Sequence, residues 1–273
     1  MTATPIPRSL ALTMFGDLDI SVMNVMPVGR QPIATYVLRP QERERAYAMI
    51  RSQVQNGNQA FIVYPLIDES EKMDARAAVD DFEALSTHVF PDLKLGLLHG
   101  RMRPSEKDEV MLKFRDKEFD ILVSTTVIEV GVDVPNSTLM LIEGADRFGL
   151  AQLHQLRGRV GRGSVASTCL LIPTREDATE NERLQAMAVT NDGFELADLD
   201  LKLRGPGEFL GTRQAGFASS LKMASITDVK LIEKAREQAK NLFEKDPDLN
   251  QPEHALLAEA FQRFWNGTKS DLS

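Results

Sequence analysis

Six short apolar runs constrain this chain more than any other feature. They are Ile33 to Leu38, Ala60 to Tyr64, Leu93 to Leu98, Phe119 to Val123, Thr138 to Ile142 and Thr168 to Ile172. Each has the length of a strand buried on both faces, and the first three are followed by a polar or amphipathic helical pattern. Helices are expected over Gln41 to Gln55, Met73 to Phe90 and Arg103 to Lys117, the last with Pro104 at its start, where a missing N–H costs nothing. Strands alternating with helices specify an α/β fold, a parallel sheet covered by helices on both faces. Ligands of such sheets gather at the carboxyl ends of the strands, and Tyr64, Gly100, Ser124 and Gly144 all fall there. From Glu176 the pattern turns helical: Glu182 to Val189, Phe194 to Leu203, Thr227 to Phe243 and Glu253 to Trp265, interrupted by a glycine-punctuated stretch from Arg204 to Gly216.

Charge is distributed unevenly. The net charge of −8 argues by itself against nucleic acid, yet the acid concentrates around Asp68 to Glu83 and Glu176 to Glu182. Between Ala151 and Arg175 there is no acid at all, and that stretch carries Gln155-Leu156-Arg157-Gly158-Arg159-Val160-Gly161-Arg162. Arginine is a permanently charged planar fork suited to phosphate oxygens, and the adjacent glycines let the backbone approach a ligand. If helical, the stretch puts Gln155, Arg159 and Arg162 on one face, with the two glycines favouring a frayed end that lets the last arginines reach outward. Local basic patches of this kind are sufficient to track a polyanion. The single Cys169 sits in an apolar run and reads as a buried thiol in a reducing, cytoplasmic setting. The chain has no apolar run long enough to span a membrane, and its four histidines are scattered without metal-ligand spacing.

The Q-x-x-G-R-x-G-R spacing resembles motif VI of the superfamily 2 helicases, whose arginines reach the γ-phosphate of ATP held by a neighbouring lobe. Further strings resemble the same family in the same order. Val123 to Pro135, with Ser124-Thr125-Thr126 after a buried strand, is similar to motif V. Leu97 to Met102 is similar to motif IVa, and Phe61 to Tyr64 to motif IV. Thr2-Ala3-Thr4 with Pro5-Ile6-Pro7-Arg8 is similar to motif III of RecG-like helicases. Asp198 to Gly216 resembles the TRG motif shared by RecG-like helicases and the transcription-repair coupling translocase.

This resemblance implies a RecA-like domain over residues 27–175 and a helical TRG domain over 176–273. It also implies that residues 1–26 are a remnant of a first motor domain, able to self-associate. Arg159 and Arg162 would be catalytic arginine fingers, and Gln155, Gly131 and Asp133 would face the nucleotide. Gly100, Arg101, Thr125 and Thr126 would touch the DNA backbone. Arg183, Arg204 and Gln214 would form a polar clamp coupling ATP-driven closure to DNA movement. His99 is preferred as a structural histidine.

The implied cofactors are ATP and Mg²⁺, and the implied partners are branched double-stranded DNA, a wedge domain and a first motor domain. Phosphoryl transfer also needs a P-loop and a metal-binding acidic pair, and neither pattern occurs in the chain. By itself the chain is therefore expected not to hydrolyse ATP. Two alternatives stand beside the RecG-like reading: the equivalent half of the coupling translocase, and a non-enzymatic fragment that binds DNA or itself.

Overall fold

A computed structural model describes residues 31–65, 71–125, 133–204 and 229–269. The first three stretches form one compact unit, which ends at Leu203, and the last stretch belongs to a second.

The six expected strands form a single parallel sheet. They are β1 (Ala34–Val37), β2 (Gln59–Val63), β3 (Leu95–Leu98), β4 (Ile121–Ser124), β5 (Ser137–Glu143) and β6 (Thr168–Ile172), in the order β1-β6-β5-β2-β4-β3. Every residue of β2, β4 and β5 is buried, the apolar middles together with polar residues at their ends, whereas the edge strands β1 and β3 bury only part of theirs.

Alternate side chains feed two cores. On one face Phe61, Val63, Leu122, Met140, Ile142 and Leu171 meet Met111 and Phe114 of α3 (Pro104–Arg115) and Leu150, Leu153 and Leu156 of α4 (Leu150–Arg157). The Phe61 and Phe114 rings meet edge-on at 4.9 Å. On the other face Ala60, Ile62, Val123, Leu139 and Leu141 meet Ala46, Tyr47 and Ile50 of α1 (Arg43–Gln55) and Leu85. Leu85 opens a π-turn, Leu85–Val89, that follows α2 (Glu71–Ala84).

Local capping explains several helix starts. The Arg103 N–H donates to Glu106 Oε2 at 2.7 Å before α3, and the Gly149 N–H donates to Gln152 Oε1 at 3.1 Å before α4. The Arg183 N–H donates to Asn181 Oδ1 at 2.9 Å at the start of α5 (Glu182–Val189). Glu176 marks a change of pattern but no break in packing. Leu184 and Met187 of α5 and Leu196 of α6 (Gly193–Arg204) belong to the same core as the sheet.

The second unit contains α7 (Val229–Lys245) and α8 (Ala255–Lys269). Between them Asp246 accepts the N–H groups of Asn250 and Gln251 at 2.9 and 3.0 Å and bonds His254 Nδ1 at 2.7 Å. The His254 bond first, then the Gln251 N–H, holds the Asp246 carboxyl below its ordinary value. A depressed carboxylate stabilises the turn above its unfolded value of about 4, and that contribution is lost as pH falls through the lower folded value. Amide exchange at Asn250 and Gln251 is therefore expected to accelerate below about pH 4 in the parent. In Asp246→Asn the same amides exchange rapidly at every pH. Protection that persists to pH 2 or so in the parent would contradict this account of the turn.

Candidate nucleotide and nucleic-acid surfaces

The sheet has two rims, and the motif residues divide between them. At the carboxyl rim the ladder continues one step beyond the strands: the Tyr64 N–H donates to Ser124 O at 2.9 Å and the Thr125 N–H to Leu98 O at 3.2 Å. This brings Thr125 beside the end of β3, where His99, Gly100 and Arg101 follow. Ser124 spends its hydroxyl internally, donating to Thr125 O at 2.6 Å.

Two atoms at this rim, His99 Nδ1 and Thr125 Oγ1, are buried without a hydrogen-bond partner among the described residues. Buried polar atoms in native proteins are nearly always satisfied, so an unpaired pair on adjacent strand ends is an exception. Burial first, then Arg101 and Lys107, lowers the affinity of His99 for a proton. A neutral imidazole has one nitrogen able to donate and the other to accept.

Sequence reasoning missed a second feature of the carboxyl rim. Arg43 clasps Glu143 through two bonds, Nε to Oε1 at 2.8 Å and Nη2 to Oε2 at 3.0 Å, across 100 residues of chain. Glu143, the last residue of the central strand, is only 7% exposed. Burial raises the Tyr64 hydroxyl far above its ordinary range and pushes Tyr47 up to about 12. Burial first, then Glu143, also raises Asp81. The available signal was a glutamate ending an apolar strand, a position where a buried charge demands a partner.

The arginine stretch lies at the opposite, amino rim. Helix α4 starts beyond the carboxyl end of β5 and runs back across the sheet. It stops at Arg157, short of Arg162, so the expected single helical face does not extend through the motif. Gly158 takes the C-cap position, and the Arg159 and Val160 N–H groups still bond back to Leu156 and Arg157 at 2.9 and 3.3 Å. The outcome resembles that face all the same. Leu156, Arg157, Val160 and Gly161 are buried, while Gln155 and Arg159 are half-buried and Arg162 is exposed.

Gly161, at φ +73°, sits against Ile33, which precedes β1, with an imagined Cβ 3.0 Å from Ile33 Cγ1. Gly163 sits against Pro135, which precedes β5. Held between these two, Arg162 reaches Asp133 Oδ1 through Nη1 at 3.2 Å and Gly158 O through Nε at 3.3 Å. The acid absent from the arginine stretch itself is thus supplied by the end of the motif V string.

Arg157 follows a different course. It is 2% exposed and donates through Nη1 to Met187 O and Thr190 O at 2.9 and 2.8 Å, with Nη2 3.0 Å from His154 Nδ1. Its spacing from Leu150 and Leu153, at i, i+3 and i+7, was the legible sign that it faces the core. Cys169 is fully buried as expected, and burial raises its thiol to about 12. Arg183 lies half-buried in the first turn of α5. Thr126, Gly131 and Gln214 lie outside the described residues, as do residues 1–26, and of Arg204 only the backbone is described.

Among the described residues no group of three His, Cys, Asp or Glu side chains could hold a metal ion, and no helix is long and apolar enough to cross a membrane. A sheet of this order with its arginine loop beside a motif V aspartate defines the class: residues 42–164 match the family described as helicase conserved C-terminal domain. Residues 190–269 match the family described as ATP-dependent DNA helicase RecG, domain 3, C-terminal. The chain belongs to the RecG family, as its C-terminal helicase region.

It is 51% identical over 249 residues to the ATP-dependent DNA helicase RecG of Synechocystis sp., covering 91% of this chain and 30% of that protein. It is 47% identical over 277 residues to RecG of Haemophilus influenzae, covering 100% of this chain and 38% of that protein. A solved structure of RecG bound to a three-way DNA junction is 48% identical, with a TM-score of 0.68, over 87% of this chain and 30% of that one. The chain therefore spans between 30% and 38% of these relatives.

Proposed function

We propose that this chain is one half of an ATP-dependent double-stranded-DNA translocase that remodels branched DNA, stalled replication forks and Holliday junctions among them. In this reading Arg159 and Arg162 reach the phosphates of ATP bound to a first motor lobe, and Gln155, Gly131 and Asp133 line the same cleft. The carboxyl rim carries the DNA backbone on Gly100, Arg101, Thr125 and Thr126. Arg183, Arg204 and Gln214 couple closure of the cleft to movement of the duplex.

The observation that carries the proposal is the Arg162–Asp133 pair, which joins the ends of two separate motifs at a rim remote from the unpaired Thr125 and His99. In this reading the two rims of one sheet serve as separate anion-binding surfaces, as a machine coupling a nucleotide to a polyanion requires. The arginine forks fit a polyphosphate. Mg²⁺ would be held by the first lobe, where it would supply charge neutralisation during transfer.

The test is a titration of the chain with a three-way junction and with linear duplex at several salt concentrations, alongside an ATP-turnover assay. Affinity for the junction is expected to fall steeply with salt, with a logarithmic slope of about −0.9 per phosphate contacted. Turnover is expected to be absent in the chain alone and to appear when it is joined to a P-loop lobe. Salt-independent binding, or no preference for the junction in the joined protein, would sink the proposal.

A further inference from the structure

Gln59 opens β2 with a polar side chain where the rest of the strand is apolar, and it is only 2% exposed. It lies outside every string that is similar to a helicase motif. Its side-chain amide is fully engaged. Nε2 donates to Phe114 O at 2.6 Å and to Phe119 O at 2.7 Å, the two carbonyls that bracket the turn from Arg115 to Glu118. With both amide hydrogens fixed in this way, Oε1 is turned toward Asn136, whose Nδ2 lies 3.4 Å away. The main chains meet at the same place, the Gln59 N–H donating to Asn136 O at 3.0 Å. A buried polar network satisfied to this degree holds one geometry, which an apolar side chain filling the same space would not do.

Asn136 belongs to a tight turn, Val134-Pro135-Asn136-Ser137. The Ser137 N–H closes it on Val134 O at 3.1 Å, with Pro135 at the position where its fixed φ is favoured. Asn136 Nδ2 also donates to Gly57 O at 2.9 Å, a main-chain atom present whatever residue stands there. The ladder is irregular at this point. Gln59 pairs with Ser137 and Ala60 with Leu139, which leaves Thr138 as an extra residue in β5, its hydroxyl donating to Gln53 Oε1 at 2.8 Å. Bulges are rare between parallel strands, and they gather beside functional sites, where they re-aim the chain. The element aimed here is the turn. Pro135 O stands against Gly163, and Asp133, one residue ahead of the turn, takes Arg162 Nη1 at 3.2 Å.

We propose that Gln59 is a positioning residue for the amino rim: through Asn136 it fixes the Val134–Ser137 turn, the ledge against which the arginine loop rests. This rests on the motor reading given above. Gln59 itself touches no nucleotide in that reading; it sets where Arg162 stands relative to one.

The test uses Gln59→Leu and Asn136→Ala, each alone and each combined with Arg162→Ala. In the full-length motor, single-turnover hydrolysis is followed across ATP concentrations. Each single variant is expected to slow hydrolysis at saturating ATP about tenfold, with half-saturation shifted by less than about threefold, as a misplaced transition-state contact requires. In the Arg162→Ala background the same substitutions are expected to cost less than about twofold, because the group they misplace is gone. Gln59→Leu also lowers the melting temperature, as it would in a merely structural role, whereas dependence on Arg162 belongs to positioning alone. Asn136 is half-buried and its truncation leaves the main-chain bonds of the turn in place, so this variant decides the matter even where Gln59→Leu folds poorly. Equal losses with and without Arg162, or parent-like hydrolysis in either single variant, would overturn the inference.

Amide exchange on the 273-residue chain tests the ledge without the motor. Gln59→Leu is expected to speed exchange of the Ser137 amide about tenfold, with β6 unchanged. Unchanged exchange at Ser137 overturns the part given to Gln59. Parent-like hydrolysis in Arg162→Ala would instead sink the motor reading, and the exchange measurement would then decide whether Gln59 holds the turn.

Discussion

Arg162→Ala in the full-length motor is expected to lower ATP turnover by about 10³-fold or more, the scale set by arginines that stabilise the charge of a transferring phosphoryl group. Nucleotide binding falls much less, because the charge that an arginine in the proposed role would offset develops mainly in the transition state. The fold should be indifferent to the change. Arg162 is exposed, and its contacts are an ion pair to the exposed Asp133 and one bond to Gly158 O. Surface pairs of this kind contribute about 0–1 kcal/mol.

Asp133 gives the second variant. If its role is to hold Arg162 ready, Asp133→Ala slows turnover by about tenfold, the cost of losing one orienting contact while the charge remains. Single-turnover hydrolysis with saturating ATP separates these outcomes from weakened binding. Turnover in Arg162→Ala within about tenfold of the parent would remove Arg162 from the chemistry.

How much of this was written in the sequence depends on whether local pattern or long-range pairing decides the outcome. Thr168–Ile172 and Glu182–Val189 occupy the expected residues because an unbroken apolar run and an Asn181 cap are local signals. The end of α4 was less legible. Arginine and valine are tolerable helix residues, and what stops the helix is Gly158 at the C-cap and Gly161 at positive φ against Ile33, a neighbour 128 residues away in sequence (161 − 33). The rim on which the arginines fall was illegible for a related reason. Strand ends follow from the pattern, but the run of α4 back across the sheet carries the arginines to the amino side. Arg43 with Glu143 and Arg157 with Thr190 are pairings that no local pattern encodes, though a charge at an apolar position announced that some partner had to exist. Gln155, Arg159 and Arg162 stay accessible because Leu156 and Val160 between them are buried.

The same geometry makes Gly163→Ala the most informative small change in the molecule. A Cβ added there would stand 2.6 Å from the Pro135 carbonyl oxygen, a backbone atom fixed just ahead of the central strand β5. Neither side is the free end of a flexible side chain, so the loop carrying Arg162 has to move. Gly163 is not among the positive-φ glycines, so alanine brings no backbone strain of its own. A displacement approaching 1 Å in a positioning element costs about 10²-fold in rate, and that is the expected loss of turnover in the full-length motor.

Gly57→Ala is the control. Gly57 has φ +81° with nothing near its imagined Cβ, so alanine there strains the backbone by about 1 kcal/mol and leaves the arginine loop alone. The two substitutions therefore separate stability from geometry. Gly57→Ala lowers the melting temperature with turnover intact, and Gly163→Ala lowers turnover with the sheet intact. Parent-like turnover in Gly163→Ala would mean that contact with Pro135 does not set the position of Arg162, and the ordering of the loop would have to come from Asp133, Gly158 and the packing of Gly161 on Ile33.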